Sequence, residues 1–271
     1  STGGTSVPAN VGGQVTKGYT VVLNYALLKK EHLLWQVNAT LRHLTSEYRN
    51  VSAYLSRFND ENKTKNMLRY YDGGSPSDLW AVRSAGIDAA TGREIFLHKD
   101  GTQSFAYNVE DEVVVGNSDP KLEGVVGMSF YYKGFSCNFY WRYSFGADAF
   151  NRTVYSKVEN ISKESLKQNQ DKRALYDRWK EPGNGAKYKG ISLTENTPIS
   201  SRFVQKNNYL TLESVRVAYE FSPEWMQKIH FSGMTVSAYM NDICRFSTIE
   251  DERGIDYPFA RSFSFALSIN F

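Results

Sequence analysis

Strict alternation of large apolar and small polar residues constrains this 271-residue chain more than any other feature. It is clearest in the closing stretch from Pro258 to Phe271, whose large apolar positions are Phe263, Phe265, Leu267, Ile269 and Phe271. A period of two is the pattern of a β-strand with one apolar face. A soluble sandwich hides such a face in its core, whereas an outer-membrane barrel turns it to lipid and its small polar face to a wet lumen.

Six earlier segments repeat this alternation: Gly13 to Leu28, Leu33 to Tyr48, Lys121 to Tyr132, Phe135 to Phe145, Tyr209 to Phe221 and Phe231 to Asn241. The fourth segment has a continuous apolar face of Phe135, Cys137, Phe139, Trp141, Tyr143 and Phe145. A face of this kind suits lipid better than a sandwich core. The sequence therefore predicts an all-β fold, with about seven antiparallel strands meandering through a portion of a transmembrane β-barrel.

The connections between these segments alternate in length. Short turns follow the first and third segments, and a fairly short connection follows the fifth. Long polar stretches, about residues 49–120 and 146–207, follow the second and fourth. Outer-membrane barrels have short periplasmic turns and long extracellular loops, so the alternation fits that class. Within the long stretches, Leu79 to Val82 and Glu94 to Leu97 are strand-like, and a helix is predicted near Gln170 to Trp179.

Composition narrows the possible functions. No run of about 18 apolar residues is present, so no membrane-spanning helix is predicted. A net charge of +3 is too mild and too evenly spread to indicate a nucleic-acid groove. The two cysteines and four histidines show no metal or triad spacing, and no nucleophile elbow or phosphate loop occurs. We therefore expect no catalytic residues, no metal, no cofactor and no enzyme.

An odd number of strands has a further implication, because single-chain bacterial barrels have even strand counts. Seven strands thus predict a part of a larger barrel. The first six residues also lack the charged and apolar regions of a signal peptide, so none is expected within the chain.

Several stretches, in this order and spacing, resemble the C-terminal region of SusC/RagA-type TonB-dependent outer-membrane transporters. They are Gly86 to Glu94, Val115 to Pro120, Tyr132 to Phe135, Asp171 to Gly183, Ser201 to Val204, Tyr209 to Leu212, Met240 to Asp242 and Arg253 to Phe259. The resemblance implies a barrel of about 22 strands around an N-terminal plug. It also implies a SusD-like lipoprotein lid, import of oligosaccharides or peptides driven by TonB, and the outer membrane of a Gram-negative, Bacteroidota-like bacterium. Residues 1–271 would be the C-terminal part of that barrel, without the plug and the TonB-contacting segment.

The long stretches supply candidate substrate-binding residues. Tyr70, Tyr71 and Trp80 have aromatic rings that suit sugar faces, and Asp72, Asp78 and Arg83 suit hydroxyl groups or peptide ends. The alternative is that these side chains fold the loops or contact the lid.

Three arginines are predicted to face the lumen, namely Arg42, Arg142 and Arg216. There they line the pore or pair with carboxylates of the plug. The stretch Asp88 to Gly92 suggests either a calcium loop or a turn, and too few oxygen ligands alternate for the calcium loop.

The terminal Phe271 with its alternating aromatics resembles the signal that the barrel assembly machinery recognises. Two other classes remain open: a secreted β-sandwich that binds carbohydrate, and a β-rich glycosidase, for which no carboxylate pair is singled out. The position of the aromatic faces discriminates between sandwich and barrel, because in a sandwich the fourth and last segments would pack against each other in a dry core.

Overall fold

The structure is a computed structural model that describes residues 10–192, 194–250 and 261–271. The resembling stretch from Arg253 to Phe259 lies outside the described residues, as do the first residues of the chain.

Strands dominate the described residues. In chain order they are β1 (Gly13–Lys30), β2 (Leu33–Arg49), β3 (Asp78–Ile87), β4 (Glu94–Leu97), β5 (Gln103–Ser104), β6 (Glu112–Asn117), β7 (Leu122–Tyr132), β8 (Phe135–Phe150), β9 (Val204–Glu220), β10 (Gly233–Ser247) and β11 (Phe263–Asn270). The α-helices are α1 (Ser52–Asn62), α2 (Arg173–Tyr176) and α3 (Pro223–Lys228). A π-helix spans Val154–Glu159, and short 3₁₀ turns span Val109–Asp111, Ser165–Lys167 and Ser201–Phe203. None of these helices is long and apolar enough to cross a membrane.

The seven predicted strands form one sheet in the order β1-β2-β7-β8-β9-β10-β11. The pairs β2/β7, β7/β8, β9/β10 and β10/β11 are antiparallel. The sheet is therefore a meander interrupted by two long inserts, as the sequence predicts. β11 pairs with β10 from Gly233↔Asn270 to Met240↔Phe263.

The register places the large apolar residues of neighbouring strands on one face, because directly opposed residues in a ladder share a face. Across β2, β7 and β8, one row runs Trp35↔Phe130↔Cys137 and the next runs Val37↔Met128↔Phe139. The row between them, on the other face, is Gln36↔Ser129↔Asn138. One face is thus apolar and the other polar.

The same division continues through β9, β10 and β11. Val217↔Ala238↔Phe265 is a row of the apolar face, and Arg216↔Tyr239↔Ser264 is a row of the polar face. Phe263 and Phe265 are 68% and 79% exposed. β8 and β11 belong to one sheet, so their aromatic faces do not oppose each other, and the sandwich hypothesis is wrong.

The chain divides into two compact units. The first, here called the strand unit, comprises Gly18–Leu44, Pro120–Ala147 and Asn207–Phe271. The second, here called the loop unit, comprises Ser1–Lys17, Thr45–Asp119 and Asp148–Lys206. The loop unit has a sheet of its own, in the order β5-β4-β3-β6, and β3 and β4 contain the two stretches that the sequence identifies as strand-like.

The predicted helix near Gln170 to Trp179 is wrong in extent, since α2 is only four residues long. Its continuation is prevented because the carbonyl of Asp177 accepts the N–H groups of Lys187 and Tyr188, and Arg178 forms a parallel bridge with Tyr188. In contrast, the eleven-residue α1 is not predicted from the sequence. Only Asn59 of α1 is buried, so it carries no apolar stripe of helical period.

Two apolar clusters form the core of the loop unit. One contains Val154, Val158, Ile161, Ala174, Tyr188 and Phe203, with Phe150 and Tyr155 packed against it. The other contains Met67, Leu79 and Ala81. The Phe203 ring lies 5.1 Å from that of Tyr155 and 6.4 Å from that of Phe150, both edge-on.

We expect Phe203→Ala to destabilise the loop unit by about 3–5 kcal/mol, because truncating a buried aromatic ring leaves a cavity. Phe203 is 0% exposed. Limited proteolysis of the intact protein measures the effect as faster cleavage within residues 148–206. The matched control is Tyr176→Ala at a side chain that is 74% exposed, where the cleavage rate should stay unchanged. Equal cleavage rates for the two variants would contradict this account of the core.

Candidate functional site

The six candidate substrate-binding residues all lie in the loop unit, in β3 or just before it. Tyr70 is half-buried and packs between two other rings, 5.3 Å from Tyr48 and 5.5 Å from Phe58. The Asn59 side chain donates to the Tyr70 carbonyl at 2.9 Å and accepts the Tyr70 N–H at 2.9 Å. These contacts fix Tyr70 against α1.

Asp72 is exposed but engaged at the start of α1. Its carboxylate Oδ1 accepts the N–H of Val51 at 2.7 Å, and its own N–H donates to Ser52 Oγ at 2.8 Å. The nearby Asp78 carboxylate accepts the N–H of Ser75 and the side-chain amide of Asn117, both at 2.8 Å. Both carboxylates therefore organise the main chain around them.

Tyr71 and Trp80 form a separate aromatic pair. Their ring centroids are 5.0 Å apart, tilted by 44°, and both residues are half-buried. The main-chain N–H of Trp80 donates to the Met67 carbonyl. The phenol and indole polar atoms have no hydrogen bond within the described residues. The pair thus has free polar edges that could meet a ligand.

Arg83 braces the hairpin of β3 and β4. Its Nη2 donates to the His98 carbonyl at 2.9 Å, while its buried Nε has no partner within the part of the chain that the structure describes. Just after β4, the imidazole of His98 lies 2.6 Å from the carboxylate of Asp111 in the 3₁₀ turn before β6. This hydrogen bond holds the pKa of the Asp111 carboxyl below its ordinary value.

The stretch Asp88 to Gly92 forms a turn. The Asp88 carboxylate accepts the hydroxyl of Thr91 at 2.6 Å and its N–H at 3.0 Å, and the hydroxyl hydrogen bond lowers the pKa of Asp88. Gly92 has φ +69°, the left-handed region that glycine enters without strain. A Cβ at Gly92 would lie 2.5 Å from the Trp179 ring, so only glycine fits there.

Trp179 connects two of the stretches that carry the family resemblance. Its indole N–H donates to the Ala89 carbonyl at 2.9 Å, and the N–H of Gly183 donates to the same oxygen. The stretches Gly86 to Glu94 and Asp171 to Gly183 therefore form one structural piece.

Two of the three predicted lumen arginines lie together on the polar face of the strand unit. Arg42 and Arg142 line a cavity of about 370 Å³, with Thr20, Thr40, Glu123, Val125 and Tyr209 among the other lining residues. Arg42 pairs with Glu123, its cross-strand partner on β7, and its Nε lies 2.6 Å from Oε1. Arg142 pairs with Glu213, with Nη2 3.1 Å from Oε2.

The third arginine, Arg216, does not line this cavity and is exposed on the polar face opposite Tyr239. Glu123 and Glu213 are not predicted from the sequence as partners of these arginines. The sequence does contain a signal for the Arg42–Glu123 pair. If the second and third predicted strands pair antiparallel with their apolar faces on the same side, Glu123 lies opposite Arg42. Arg42 and Arg142 therefore each pair with a carboxylate of this chain.

The loop unit also contains a buried ionic cluster that is not predicted from the sequence. The Arg202 guanidinium lies between two carboxylates, 3.0 Å from Glu94 Oε2 and 2.8 Å from Glu159 Oε1. Ser200 and Thr197 donate hydroxyl hydrogen bonds to Glu94 and Glu159. Burial opposes the charge of Arg202, but the hydrogen bonds and charges of the two carboxylates outweigh it and raise the pKa.

A second buried pair joins Arg69 to Glu112, whose side chains are almost fully buried. Arg69 Nη2 lies 2.7 Å from Oε2, and its remaining donors reach the carbonyls of Lys63, Asn66 and Leu68. The partners in these ionic contacts are 43 to 108 residues apart, which explains why no local pattern predicts them.

Phe271 lies at the end of β11 and is 89% exposed. Its ring is edge-on to that of Phe231, with centroids 5.2 Å apart.

No protein-family model matches the chain. In sequence, it is similar to the TonB-dependent receptor P39 of Formosa agariphila, with 22% identity over 195 residues. The match covers 69% of this chain and 18% of the receptor.

In structure, the chain is similar to the RagAB peptide importer in its open-open state, with a TM-score of 0.75 and 17% identity over 97% of this chain and 29% of that one. The closed-closed state gives a TM-score of 0.74, again at 17% identity, over 97% of this chain and 30% of the other. The chain therefore spans less than a third of the length of these proteins. The likeness confirms the predicted fold class, an all-β chain whose antiparallel sheet corresponds to a portion of a larger β-barrel.

The contacts of Asp72 lead to a test of its role. We expect Asp72→Ala to accelerate amide hydrogen exchange in α1, because the Val51 N–H loses an acceptor worth about 1 kcal/mol. Asp72→Asn keeps an acceptor oxygen and should leave exchange close to that of the unmodified protein. Normal exchange in both variants would show that the carboxylate does not hold the helix.

Proposed function

We propose that this chain is the C-terminal part of the barrel wall and the extracellular loops of a SusC-like TonB-dependent transporter, which imports oligosaccharides or peptides across the outer membrane. The proteins it is similar to are by name a receptor and peptide importers, not enzymes.

The observation that carries this proposal is the exposed apolar face of the strand unit. Its exposed members include Tyr19, Leu23, Tyr25, Trp35, Tyr132, Phe135, Val217, Tyr219, Val236, Phe263, Phe265 and Leu267. Exposed apolar patches with an area above a few hundred Å² are rare on soluble monomers. Contact with lipid accounts for the face, and it leaves the polar side of each strand for a water-filled interior.

The polar face supports the second half of the proposal. Arg42 and Arg142 are about half exposed, and each is neutralised by a carboxylate of a neighbouring strand. Such pairs suit a hydrated lumen, because exposed ion pairs cost little desolvation there. In the complete barrel we assign the three arginines to the lumen, where Arg216 remains available to the plug or to the substrate.

The long inserts would form the outer surface. There we propose that Tyr71 and Trp80 contact the substrate, while Tyr70, Asp72 and Arg83 hold the loops in place through their observed contacts. A SusD-like lipoprotein would close over this surface, and TonB would act through the N-terminal part of the complete protein. Lipid would cover the apolar face.

Adjacent residues of β7 allow a direct test, since Met128 lies on the apolar face and Ser129 on the polar face. We expect Met128→Arg to destabilise the membrane-inserted protein by about 2–4 kcal/mol, because a cation facing lipid near the bilayer midplane carries that cost. Ser129→Arg should be tolerated. The readouts are the level of heat-modifiable protein in the outer-membrane fraction and its urea midpoint in lipid vesicles.

The comparison is informative because both variants add the same side chain to the centre of one strand. Equal behaviour of the two variants, or a stronger effect at Ser129, would falsify the assignment of the apolar face to lipid. Recovery of the complete protein in the soluble fraction would also contradict the proposal.

The terminal residue provides a further prediction. We expect deletion of Phe271 from the complete protein to lower its outer-membrane level, because the terminal aromatic would no longer be available to the assembly machinery. Asn270→Ala retains the aromatic terminus and is the control. Quantitative blotting of membrane fractions measures both, and an unchanged level after the deletion removes that role from Phe271.

A further inference from the structure

Three places in the sequence have an aspartate or asparagine directly before a glycine: Asp72-Gly73, Asp100-Gly101 and Asn184-Gly185. At such a step the chain can react with itself, because the glycine nitrogen lies close to the preceding side-chain carbonyl carbon and no Cβ of the glycine crowds its approach. Asparagine is thermolabile for this reason, since its side-chain amide can leave as ammonia. All three steps lie in the loop unit, but the structure holds them differently.

The Asp72-Gly73 step is held apart by hydrogen bonds. The N–H of Gly73 donates to the Tyr48 carbonyl at 2.9 Å, and the Asp72 carboxylate accepts the N–H of Val51 at 2.7 Å. The glycine nitrogen and the carboxyl carbon are both engaged with other segments of the chain. They cannot meet until these hydrogen bonds break.

The Asp100-Gly101 step is held apart in the same way. The N–H of Gly101 donates to the His98 carbonyl at 3.0 Å, and Asp100 Oδ1 accepts the N–H of Thr102 at 2.9 Å and its hydroxyl at 2.7 Å. The hydrogen bonds from Thr102 lower the pKa of the Asp100 carboxyl. The group therefore stays ionised, and an ionised carboxylate is a poor electrophile.

The Asn184-Gly185 step is open. Neither the side-chain amide of Asn184 nor the N–H of Gly185 has a hydrogen-bond partner among the described residues. Gly185 is exposed, and a Cβ built on it would meet nothing within 4 Å. No contact in the structure keeps the nitrogen of Gly185 from the side-chain carbonyl carbon of Asn184.

Fixed points lie on both sides of this open step. The N–H of Gly183 donates to a carbonyl of the loop between β3 and β4 at 2.9 Å, and the N–H of Lys187 donates to the Asp177 carbonyl at 3.0 Å. In residues 184–186, the only main-chain N–H with a partner in the described part of the chain is that of Asn184 itself. The span between the fixed points therefore has few hydrogen bonds to lose when its main chain rearranges.

We propose that Asn184 is a site of spontaneous deamidation in the folded protein. The nitrogen of Gly185 loses its proton to a solvent base and attacks Cγ of Asn184. A C–N bond forms and closes a succinimide ring, while the bond between Cγ and Nδ2 breaks and releases ammonia. One water molecule then opens the ring: cleavage of the new bond gives aspartate, and cleavage of the original peptide bond gives isoaspartate.

Both products place a carboxylate where the neutral amide of Asn184 stood. Isoaspartate also lengthens the main chain by one CH₂ group between the fixed points at Gly183 and Lys187, because the chain then runs through Cγ. The reaction needs only the local geometry of the loop unit. The inference therefore goes beyond the proposed transport function and does not depend on it.

The test compares each step in the folded protein and in an unfolded peptide of the same sequence. The complete protein, purified in detergent, and its tryptic peptides, including residues 181–187, are aged in the same mildly alkaline buffer. Mass spectrometry measures the conversion of Asn184 to an acid. Transfer of a labelled methyl group by an isoaspartyl methyltransferase measures isoaspartate at all three steps.

We expect Asn184 to react in the folded protein at a rate within about threefold of its rate in the peptide, because no hydrogen bond has to break first. The two aspartate steps should react at least about tenfold more slowly in the folded protein than in their peptides, because each hydrogen bond that must break contributes roughly a fivefold factor. Aspartate steps that react equally fast in both states would overturn the role assigned to these hydrogen bonds.

Two valine variants test the attack by the glycine nitrogen. Gly185→Val should slow deamidation by about tenfold or more in protein and peptide alike, because a β-branched side chain crowds the attacking nitrogen. The folded loop has room for this side chain, since a Cβ at Gly185 meets nothing within 4 Å and its φ is not positive. Ala186→Val adds the same side chain one residue later and should leave the rate unchanged.

Two results would overturn the proposal. One is deamidation of Asn184 that is slower by about tenfold or more in the folded protein than in the peptide, since that would show a protected step. The other is an undiminished rate in Gly185→Val. Both measurements concern the loop unit alone, so they are independent of the Met128 and Ser129 comparison in the strand unit.

Discussion

The antiparallel register of the seven-stranded sheet determines which residues of the strand unit lie on its apolar face and which on its polar face. Side chains alternate with period two, so a slip by one residue would transfer every aromatic of a strand to the polar face. The rows Trp35↔Phe130↔Cys137 and Gln36↔Ser129↔Asn138 show the register in its observed form. Fixing it creates an apolar face and a polar face at the same time, and it brings Arg42 opposite Glu123.

The loop unit is organised by a different interaction. Arg202 with Glu94 and Glu159, and Arg69 with Glu112, join distant segments through buried charges. Burying an ion is costly unless its partners are present, so loss of one member leaves an uncompensated charge. Such pairs therefore favour one arrangement of the inserts over others.

The strands could be predicted from the sequence because their signal is local. All seven segments of the large sheet are present, and β3 and β4 contain the two strand-like stretches of the first insert. Some strand ends are predicted less well. β9 begins at Val204, before the predicted start at Tyr209, and β8 continues to Phe150, beyond the predicted end at Phe145, because the alternation is less regular there. The helices were predicted poorly, because α1 lacks an apolar stripe and α2 is ended by a bridge to Tyr188.

The sequence alone predicts that this chain forms strands with one apolar and one polar face, because period two is a property of neighbouring residues. It also identified the aromatic and charged residues of the inserts. What those residues contact is seen only in the folded chain: Asp72 holds the start of α1, Tyr71 pairs with Trp80, and Trp179 packs on Gly92. These contacts join segments far apart in the chain, and chain spacing carries no information about which distant side chains meet in the fold.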